Sequence, residues 1–198
     1  MRFALAATAA VAALVAVAVP ARAHTAAPGP QCGGTLWRLM TLSDTGKAGV
    51  SWAPAATSIG DIAKLTAPIK TPSTRSTTFQ KNNWRLTAII QRFRMASNGE
   101  IVLQLFDIPT STYMNAYMPG PQCLPTTARG RAQMLAARDG FMKMCPAVTT
   151  QWQLLGATAE MTGVGYWNPV KTTLGALKNG AELRPLTALT IKQGCGKF

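Results

Sequence analysis

The stretch WRLTAIIQRFRMASNGEIVLQLFD, residues 84–107, decides the fold that we expect for this chain. Two apolar runs flank Asn98 and Gly99, and an Asn-Gly pair is the strongest short-range signal for a tight hairpin, because both residues tolerate a positive φ. We therefore predict two antiparallel strands that form the central hairpin of a small β-barrel.

The alternation within the hairpin predicts which side chains face a core. In the second strand an apolar face alternates with a face that holds Glu100 and Gln104, which is the period-2 pattern of a half-buried strand. The apolar face consists of Ile101, Leu103 and Leu105.

The first strand carries the arginines of the hairpin. Uninterrupted alternation places Arg92 and Arg94 on the same face as the aliphatic side chains of Leu86 and Ile90. The apolar surface would then end where the hairpin leaves the body of the protein, with two arginines near the loop tip beside Phe93.

Residues 1–23 have the features of a secretory signal peptide. Arg2 supplies a positive charge, a largely apolar run follows, and residues 21–23 form a small-residue cleavage site of the A-x-A type. The apolar run is near the lower limit for spanning a bilayer, and Pro20 favours cleavage over anchoring. We expect a secreted or periplasmic protein with no stable membrane insertion after signal cleavage.

The mature chain is strongly basic. Arg2 and Arg22 leave with the signal peptide, so the mature chain has 18 of the 20 Lys and Arg residues and 7 Asp and Glu residues, a formal charge of +11. A field of this sign favours anionic partners such as nucleic acid, an acidic polysaccharide or a phospholipid surface, although it also keeps an exported protein soluble. Both explanations of the charge remain open.

The four cysteines, an even count in a chain expected to be exported, predict two disulfides. They are Cys32, Cys123, Cys145 and Cys195. A bridge between Cys123 and Cys145 is disfavoured, because a helix predicted over residues 127–144 separates its ends by roughly 25 Å. Cys32 can pair with Cys123 and Cys145 with Cys195, or Cys32 with Cys145 and Cys123 with Cys195.

Local patterns predict the remaining elements. Residues 32–44 read as a strand or an extended lead-in, and residues 57–65 as a short helix capped by Thr57 or Ser58. A Pro-, Ser- and Thr-rich connector follows, without periodicity. Downstream we predict a strand, a helix and two strands, over residues 112–118, 127–144, 159–167 and 182–191.

The helix over residues 127–144 is predicted to be the main helix, with Thr126 or Thr127 as its cap. Its apolar residues, at three- and four-residue spacing, are Met134, Ala137, Phe141 and Met144. Its basic residues, expected mostly on the solvent side, are Arg129, Arg131, Arg138 and Lys143. The expected fold class is α+β, a small OB-like barrel stapled by two disulfides, with a lead-in over residues 24–78 and the barrel over residues 79–198.

Four short motifs resemble an uncharacterised family of exported bacterial proteins. They are CG-x-x-x-W from Cys32 with the TLSD that follows it, the hairpin WRLTAIIQRFR, TGVGYW at residues 162–167 and NGAELRP at residues 179–185. Family members carry a similar lead-in, a TGVGFFD-like strand and an NGIELHP-like motif. The resemblance spans most of the mature chain and implies an OB-fold-type barrel with no assigned activity. This chain departs from the pattern at Asn168, where an acid is usual, and at Arg184, which replaces a histidine.

The sequence contains none of the common catalytic patterns. A nucleophile elbow, an HExxH zinc motif, a P-loop and a dinucleotide fingerprint are all missing. The single histidine, His24, would become the N-terminus after cleavage and could chelate Cu(II) with its own amine, but a copper enzyme adds a second histidine. We therefore expect no cofactor, no metal site and no catalytic residues.

One enzymatic alternative remains. The stretch NGEIVLQLFDIP, residues 98–109, resembles the acidic motif of micrococcal-nuclease-like OB-folds, in which acids bind calcium and arginines stabilise the transition state. Glu100 and Asp107 would be the acids of such a phosphodiesterase, but Asn98 replaces the first acid of the motif. The simpler explanation makes them a solvent-facing strand residue and a strand-end turn residue.

The favoured interpretation is an exported, non-enzymatic binding module for an anionic polymer, either nucleic acid or acidic polysaccharide. OB-folds bind such ligands with basic grooves and stacking aromatic residues. The candidate ligand-binding residues are Arg85, Arg92, Phe93, Arg94, Trp167, Lys171 and Arg184, with Trp84 and Tyr166 more simply explained as packing residues. A third interpretation is an envelope module for protein-protein interaction, whose binding would depend little on salt.

Overall fold

The structure is a computed structural model that describes residues 32–34 and 36–195, so the predicted signal peptide and His24 lie outside it. The helices are α1 (Trp37–Met40), α2 (Ile59–Ala63) and α3 (Arg131–Met144). The strands are β1 (Ser51–Ala56), β2 (Asn82–Met95), β3 (Ile101–Asp107), β4 (Thr112–Met118), β5 (Gln153–Trp167) and β6 (Ala181–Gln193). None of these helices has the length and apolar character that would let it span a membrane.

The six strands form one mixed sheet with a ring-like arrangement. Their order is β1-β2-β3-β4-β6-β5, and β5 pairs back onto β2. The pairs β2–β3, β3–β4, β2–β5 and β5–β6 are antiparallel, whereas β4–β6 is parallel. α3 lies between β4 and β5 in the chain and makes the crossover that this parallel pair requires. The predicted hairpin, the mixed α+β class and the single main helix are confirmed.

An irregularity in β2 changes the face to which its arginines belong. The pairing of β2 with both β3 and β5 shifts between Ile90 and Arg92. The extra residue, Gln91, reverses the alternation, so that Ile90 and then Phe93 point into the core. The prediction that Arg92 and Arg94 continue the apolar face was wrong, because a β-bulge moves both arginines to the outside of the ring.

The core fills the inside of the ring and is closed by α3. Phe93 and Phe141 meet edge to face with ring centroids 5.4 Å apart, and both are fully buried. The helix begins four residues later than the first predicted residue, behind Gly130, whose φ of 72° brings it against the Trp52 ring. The predicted threonine caps were therefore wrong.

The two faces of α3 match the prediction only in part. Met134, Ala137 and Phe141 are buried, whereas Met144 is 45% exposed. Arg138, predicted to face solvent, is buried and donates towards the carbonyl oxygens of the chain that follows β4. These two carbonyl oxygens give the buried guanidinium hydrogen-bond partners inside the fold.

The lead-in is more structured than the sequence suggested. Its first part forms the helical turn α1 instead of an extended strand, and β1 pairs in parallel with the start of β2. Ser58 caps α2 as predicted, because its side chain accepts a hydrogen bond from the amide of Asp61 at 3.0 Å. Within the irregular connector, buried Arg75 donates to Asp44 at 2.9 Å and anchors the lead-in to the ring.

Two disulfides confirm the predicted count and select one of the two pairings left open. Cys32 is bonded to Cys123 and Cys145 to Cys195, and the disfavoured bridge between Cys123 and Cys145 does not form. The first bridge ties the lead-in to the turn after β4. The second ties the end of α3 to the end of β6.

Glycines in β5 permit another segment of main chain to pack closely against the strand, as glycines inside a strand predict. The pairing of β5 with β6 shifts at Gly163 and again before Gly165. A Cβ on Gly165 would lie 2.2 Å from the carbonyl oxygen of Phe79. The main chain therefore packs directly on main chain at this corner of the ring.

Candidate functional site

A pocket of about 390 Å³ lies on the outside of the ring, between the turn that joins β2 to β3 and the loop that joins β5 to β6. The turn comprises residues 96–100 and the loop residues 168–180. The main polar and aromatic lining residues are Arg94, Asn98, Glu100, Tyr117, Asn168 and Arg184. They come from three strands, the turn and the loop.

Strand pairing brings the outward side chains of the floor together. Arg94 of β2 is opposite Val102 of β3, which is opposite Tyr117 of β4. The parallel pair β4–β6 matches Ala116 with Leu183 and so places Arg184 beside Tyr117. Successive residues of a strand alternate between faces, so the same register that buries the aliphatic core exposes these residues to the pocket.

Arg184 is the centre of the floor, although only 8% of its surface is exposed. Its Nε donates to Oε1 of Glu100 at 3.0 Å and its Nη2 donates to the other oxygen of the same carboxylate. Its Nη1 lies 3.5 Å from Oε1 of Glu182. Its guanidinium also lies over the ring of Tyr117, 4.3 Å from the centroid.

Two carboxylates thus share one buried guanidinium. Burial acts to lower the pKa of Arg184, but the charges of Glu100 and Glu182 outweigh it and raise that pKa above its ordinary value. Arg184 therefore stays cationic throughout the physiological pH range. The cluster formed by Glu100, Glu182 and Arg184 is here called the charged floor. Its net charge depends on the protonation of its two acids.

The two acids of the charged floor are held very differently. Asn98 donates to Oε2 of Glu100 at 2.6 Å and accepts a hydrogen bond from its amide at 3.1 Å. Glu182 accepts a hydrogen bond from Asn168 on Oε2 at 3.0 Å, while its Oε1 has no hydrogen-bond partner in the described part of the chain. Burial raises the pKa of Glu182 to about 7, against the opposing effect of Arg184.

Two tyrosines enclose the charged floor. Burial raises the pKa of both Tyr117 and Tyr166 above the ordinary value, so both phenols stay neutral. The hydroxyl of Tyr166 is buried and has no hydrogen-bond partner among residues 32–34 and 36–195. Glu182 and Tyr166 are opposite each other on β6 and β5, so two unsatisfied polar groups lie close together behind Arg184.

Arg94 is the more accessible cation of the pocket. Its side chain is half-buried, and its guanidinium lies 5.1 Å from the centroid of the Trp152 ring. Its Nε is buried without a hydrogen-bond partner within the described residues, so the terminal guanidinium nitrogens would be the donors to a ligand. The pocket can accept an anion through Arg94, with Arg184 as a second cation partly neutralised by its acids.

Some of the basic residues predicted from the sequence to bind a ligand lie at the pocket, and others lie elsewhere. Arg94 and Arg184 line the pocket, and exposed Lys171 belongs to the loop above it. Arg92 shares the outer face of β2 and is half-buried. Arg85 is exposed nine residues before Arg94, about 30 Å away along β2 at 3.3 Å per residue.

The two aromatic candidates do not reach the pocket. Phe93 is fully buried against Phe141, and Trp167 is 4% exposed and contacts Phe79 at 4.9 Å between ring centroids. Trp167 also donates its indole N–H to the hydroxyl of Thr77 at 2.9 Å. Neither ring has a free face on which a ligand could stack.

The sequence analysis did not select Glu182 or Tyr117 for a site, weighed Glu100 only as an acid of the nuclease alternative and explained Tyr166 as a packing residue. Glu100 was interpreted as solvent-facing but is 1% exposed. One signal was available for Glu182, because it lies two residues before Arg184 in a predicted strand and therefore on the same face. No local pattern could connect either residue to Glu100, which is 84 positions from Arg184 in the chain.

The acids of the nuclease alternative do not share a site. Glu100 precedes β3 and Asp107 ends it, so they are about 23 Å apart at 3.3 Å per residue. Glu100 is ion-paired with Arg184 instead. Within the described ranges no group of three or more His, Cys, Asp or Glu residues could hold a metal ion.

Comparison of the sequence with protein-family profiles and with curated proteins gave no match. The chemistry available to the pocket is that of its own side chains. The lining supplies two guanidiniums, the carboxylate of Glu100, amide groups and the phenol of Tyr117, with Glu182 and Tyr166 buried behind Arg184. Such a set suits binding of an anionic, hydrogen-bonding ligand.

Proposed function

We propose that the ring of strands is an OB-type barrel and that the protein is a binding module whose pocket takes an anionic ligand. In an OB-fold, three strands are followed by a helix and two more strands, and the fifth strand lies between the third and fourth. The order β2-β3-β4-β6-β5, with α3 after β4, supports this assignment.

The position of the pocket carries the proposal. OB-folds bind oligonucleotides and oligosaccharides on the face of their second and third strands, between the loop that joins strands one and two and the loop that joins strands four and five. The turn of residues 96–100 and the loop of residues 168–180 correspond to these loops. The pocket between them contains Arg94 and Arg184.

The size of the pocket limits the ligand. A volume of about 390 Å³ is near the lower end of small-molecule sites, which are roughly 300–1,000 Å³. An anionic polymer would therefore place one or two units in the pocket. The rest of the polymer would follow the basic surface, and the formal charge of the full chain, +13, favours that association.

Export to an oxidising compartment belongs to the same proposal. Both disulfides support it, since such bonds persist mainly in secreted and periplasmic proteins. The protein would be secreted or periplasmic and would act by binding rather than by catalysis.

The test is a binding titration of the oxidised protein with two labelled probes, a short oligodeoxythymidylate and an oligogalacturonate, over a salt series. We expect saturable binding that weakens as salt rises, and a loss of about tenfold or more on Arg94→Ala, because a hydrogen bond to a charged group is removed. Arg85→Ala is the matched control, with the same charge change on an exposed part of the same strand.

Two results would reject the proposal. Equal losses for Arg94→Ala and Arg85→Ala would mean that binding follows net charge and not the pocket. Failure of both probes to bind at low salt would leave an envelope interaction module as the hypothesis to pursue.

A further inference from the structure

The charged floor has a net negative charge when all three of its groups are ionised. Glu100, Glu182 and Arg184 are 1%, 3% and 8% exposed, so two negative charges and one positive charge are buried together. An incoming anion would meet this net negative cluster, beside which lie half-buried Arg94 and buried Arg138, whose charge interacts with that of Glu100. Buried charge that is not balanced is costly, so loss of the charge of one acid would favour anion binding.

The geometry shows which acid can do so. Glu100 receives two hydrogen bonds from Arg184 and one from Asn98, so both of its carboxylate oxygens are already occupied by donors. Glu182 receives one hydrogen bond, from Asn168, and its Oε1 has no hydrogen bond within the described chain but lies 3.5 Å from Nη1 of Arg184. A proton on Oε1 of Glu182 would therefore break no existing hydrogen bond and would give up only this longer ion-pair contact.

We propose that Glu182 takes up a proton when the pocket binds an anion, so that binding strengthens as the pH falls through neutrality. This inference rests on the proposed function, because it concerns the same pocket and the same ligand class. Protonation leaves Arg184 paired with Glu100 alone and raises the charge of the floor by one unit. The pKa of Glu182, raised by burial to about 7, places this change in the physiological range.

The charged and titratable groups around Glu182 come from several elements of the fold. These groups are Arg94 from β2, Glu100 before β3, Tyr117 from β4, Arg138 from α3, Tyr166 from β5 and Arg184 from β6. The arginines stay cationic and the tyrosines stay neutral near pH 7. Residues 32–34 and 36–195 contain no histidine, so Glu182 is the group positioned to titrate there.

The first experiment measures the dissociation constant of oligogalacturonate at constant ionic strength from about pH 5.5 to about pH 8.5, a range in which the carboxylates of the probe stay ionised. One coupled proton raises the constant by up to about tenfold per pH unit above neutrality. Glu182→Gln should bind tightly with a flat pH profile. Glu160→Gln, a change of the same type on β5 outside the pocket, should follow the unmodified protein.

The second experiment needs no variant. Calorimetric binding enthalpies in two buffers with different ionisation enthalpies give the number of protons taken up, and we expect close to one proton at about pH 8 and close to none at about pH 5.5. Carbon-13 NMR of the Glu182 carboxyl follows its titration in the ligand-free protein.

The outcomes separate the two proposals. Binding with a flat pH profile and no proton uptake, or a titration midpoint of Glu182 in the ordinary acid range, overturns the proton coupling and leaves anion binding intact. Absence of binding at every pH overturns both, even where the NMR titration of Glu182 lies near neutrality.

Discussion

Replacing Arg184 by Met should destabilise the protein in a pH-dependent way. Methionine has a similar length and can pack over Tyr117, so the main change is loss of the only cation in direct contact with Glu100 and Glu182 among the described residues. Both carboxylates would then be buried without a counter-charge. Breaking a buried ion pair by removing one partner typically costs about 3–5 kcal/mol.

The structure also gives the sign of the pH effect. Without Arg184 the desolvated carboxylates repel each other, so the pKa of Glu182, already raised by burial, rises further above its value in the unfolded chain. The folded state then binds more protons than the unfolded state near neutrality, and stability falls as the pH rises. Each unit of pKa increase is worth about 1.4 kcal/mol per carboxyl group, so most of the loss should disappear near pH 5.

The assay is chemical denaturation of the oxidised protein at about pH 5 and about pH 8, followed by tryptophan fluorescence. Arg85→Met is the control, because that arginine is exposed and its replacement should change stability by no more than about 0.5 kcal/mol. Adding Glu100→Gln to Arg184→Met should restore part of the loss at the higher pH. A loss that is equal at both pH values, or no larger than that of Arg85→Met, would refute the idea of a buried charged floor.

Two further predictions concern the framework of the fold. Gly165→Ala should lower the free energy of unfolding by at least about 2 kcal/mol, because the added Cβ would lie 2.2 Å from the carbonyl oxygen of Phe79. Gly140→Ala, in open space on α3, is the control and should be neutral or slightly stabilising. Similar effects of the two substitutions in denaturation experiments would contradict the close packing. Replacing Cys145 and Cys195 together by Ala should lower the free energy of unfolding by up to about 4 kcal/mol, because the bridge closes a loop of 50 residues, and an unchanged denaturation midpoint would disprove that role.

Patterns of short range predicted much of the fold. The Asn98-Gly99 turn and the helical spacing of α3 each depend on neighbouring residues, and each is present, whereas β3, predicted to be half-buried, is buried on both faces. The cap of α2 by Ser58 is equally local. The β-bulge at Gln91 was not predictable, because the pairing of β2 with two other strands decides where an extra residue is accommodated.

Of the residues of the candidate site, the sequence predicted only the cations. Arg94 was selected as a basic residue near aromatic residues and Arg184 as a departure from the family motif, and both lie in the pocket. Glu182 was not selected and Glu100 was weighed only as a nuclease acid, since acids in strands usually face water, and the burial of Glu100 depends on an arginine delivered by a distant strand. Phe93 and Trp167 illustrate the opposite case, because an aromatic residue in a strand serves the core as readily as a ligand.

The parallel pairing of β4 with β6 also constrains the order in which this protein can be assembled. β6 is the last strand of the described residues, yet it lies between β4 and β5 and brings Arg184 to Glu100. Contacts between such distant positions raise the contact order and slow folding. A chain lengthening from its N-terminus can form the β2–β3–β4 meander early, with Glu100 hydrated. Its pocket gains its central cation only when synthesis has passed β6, so a nascent or prematurely ended chain lacks the charged floor.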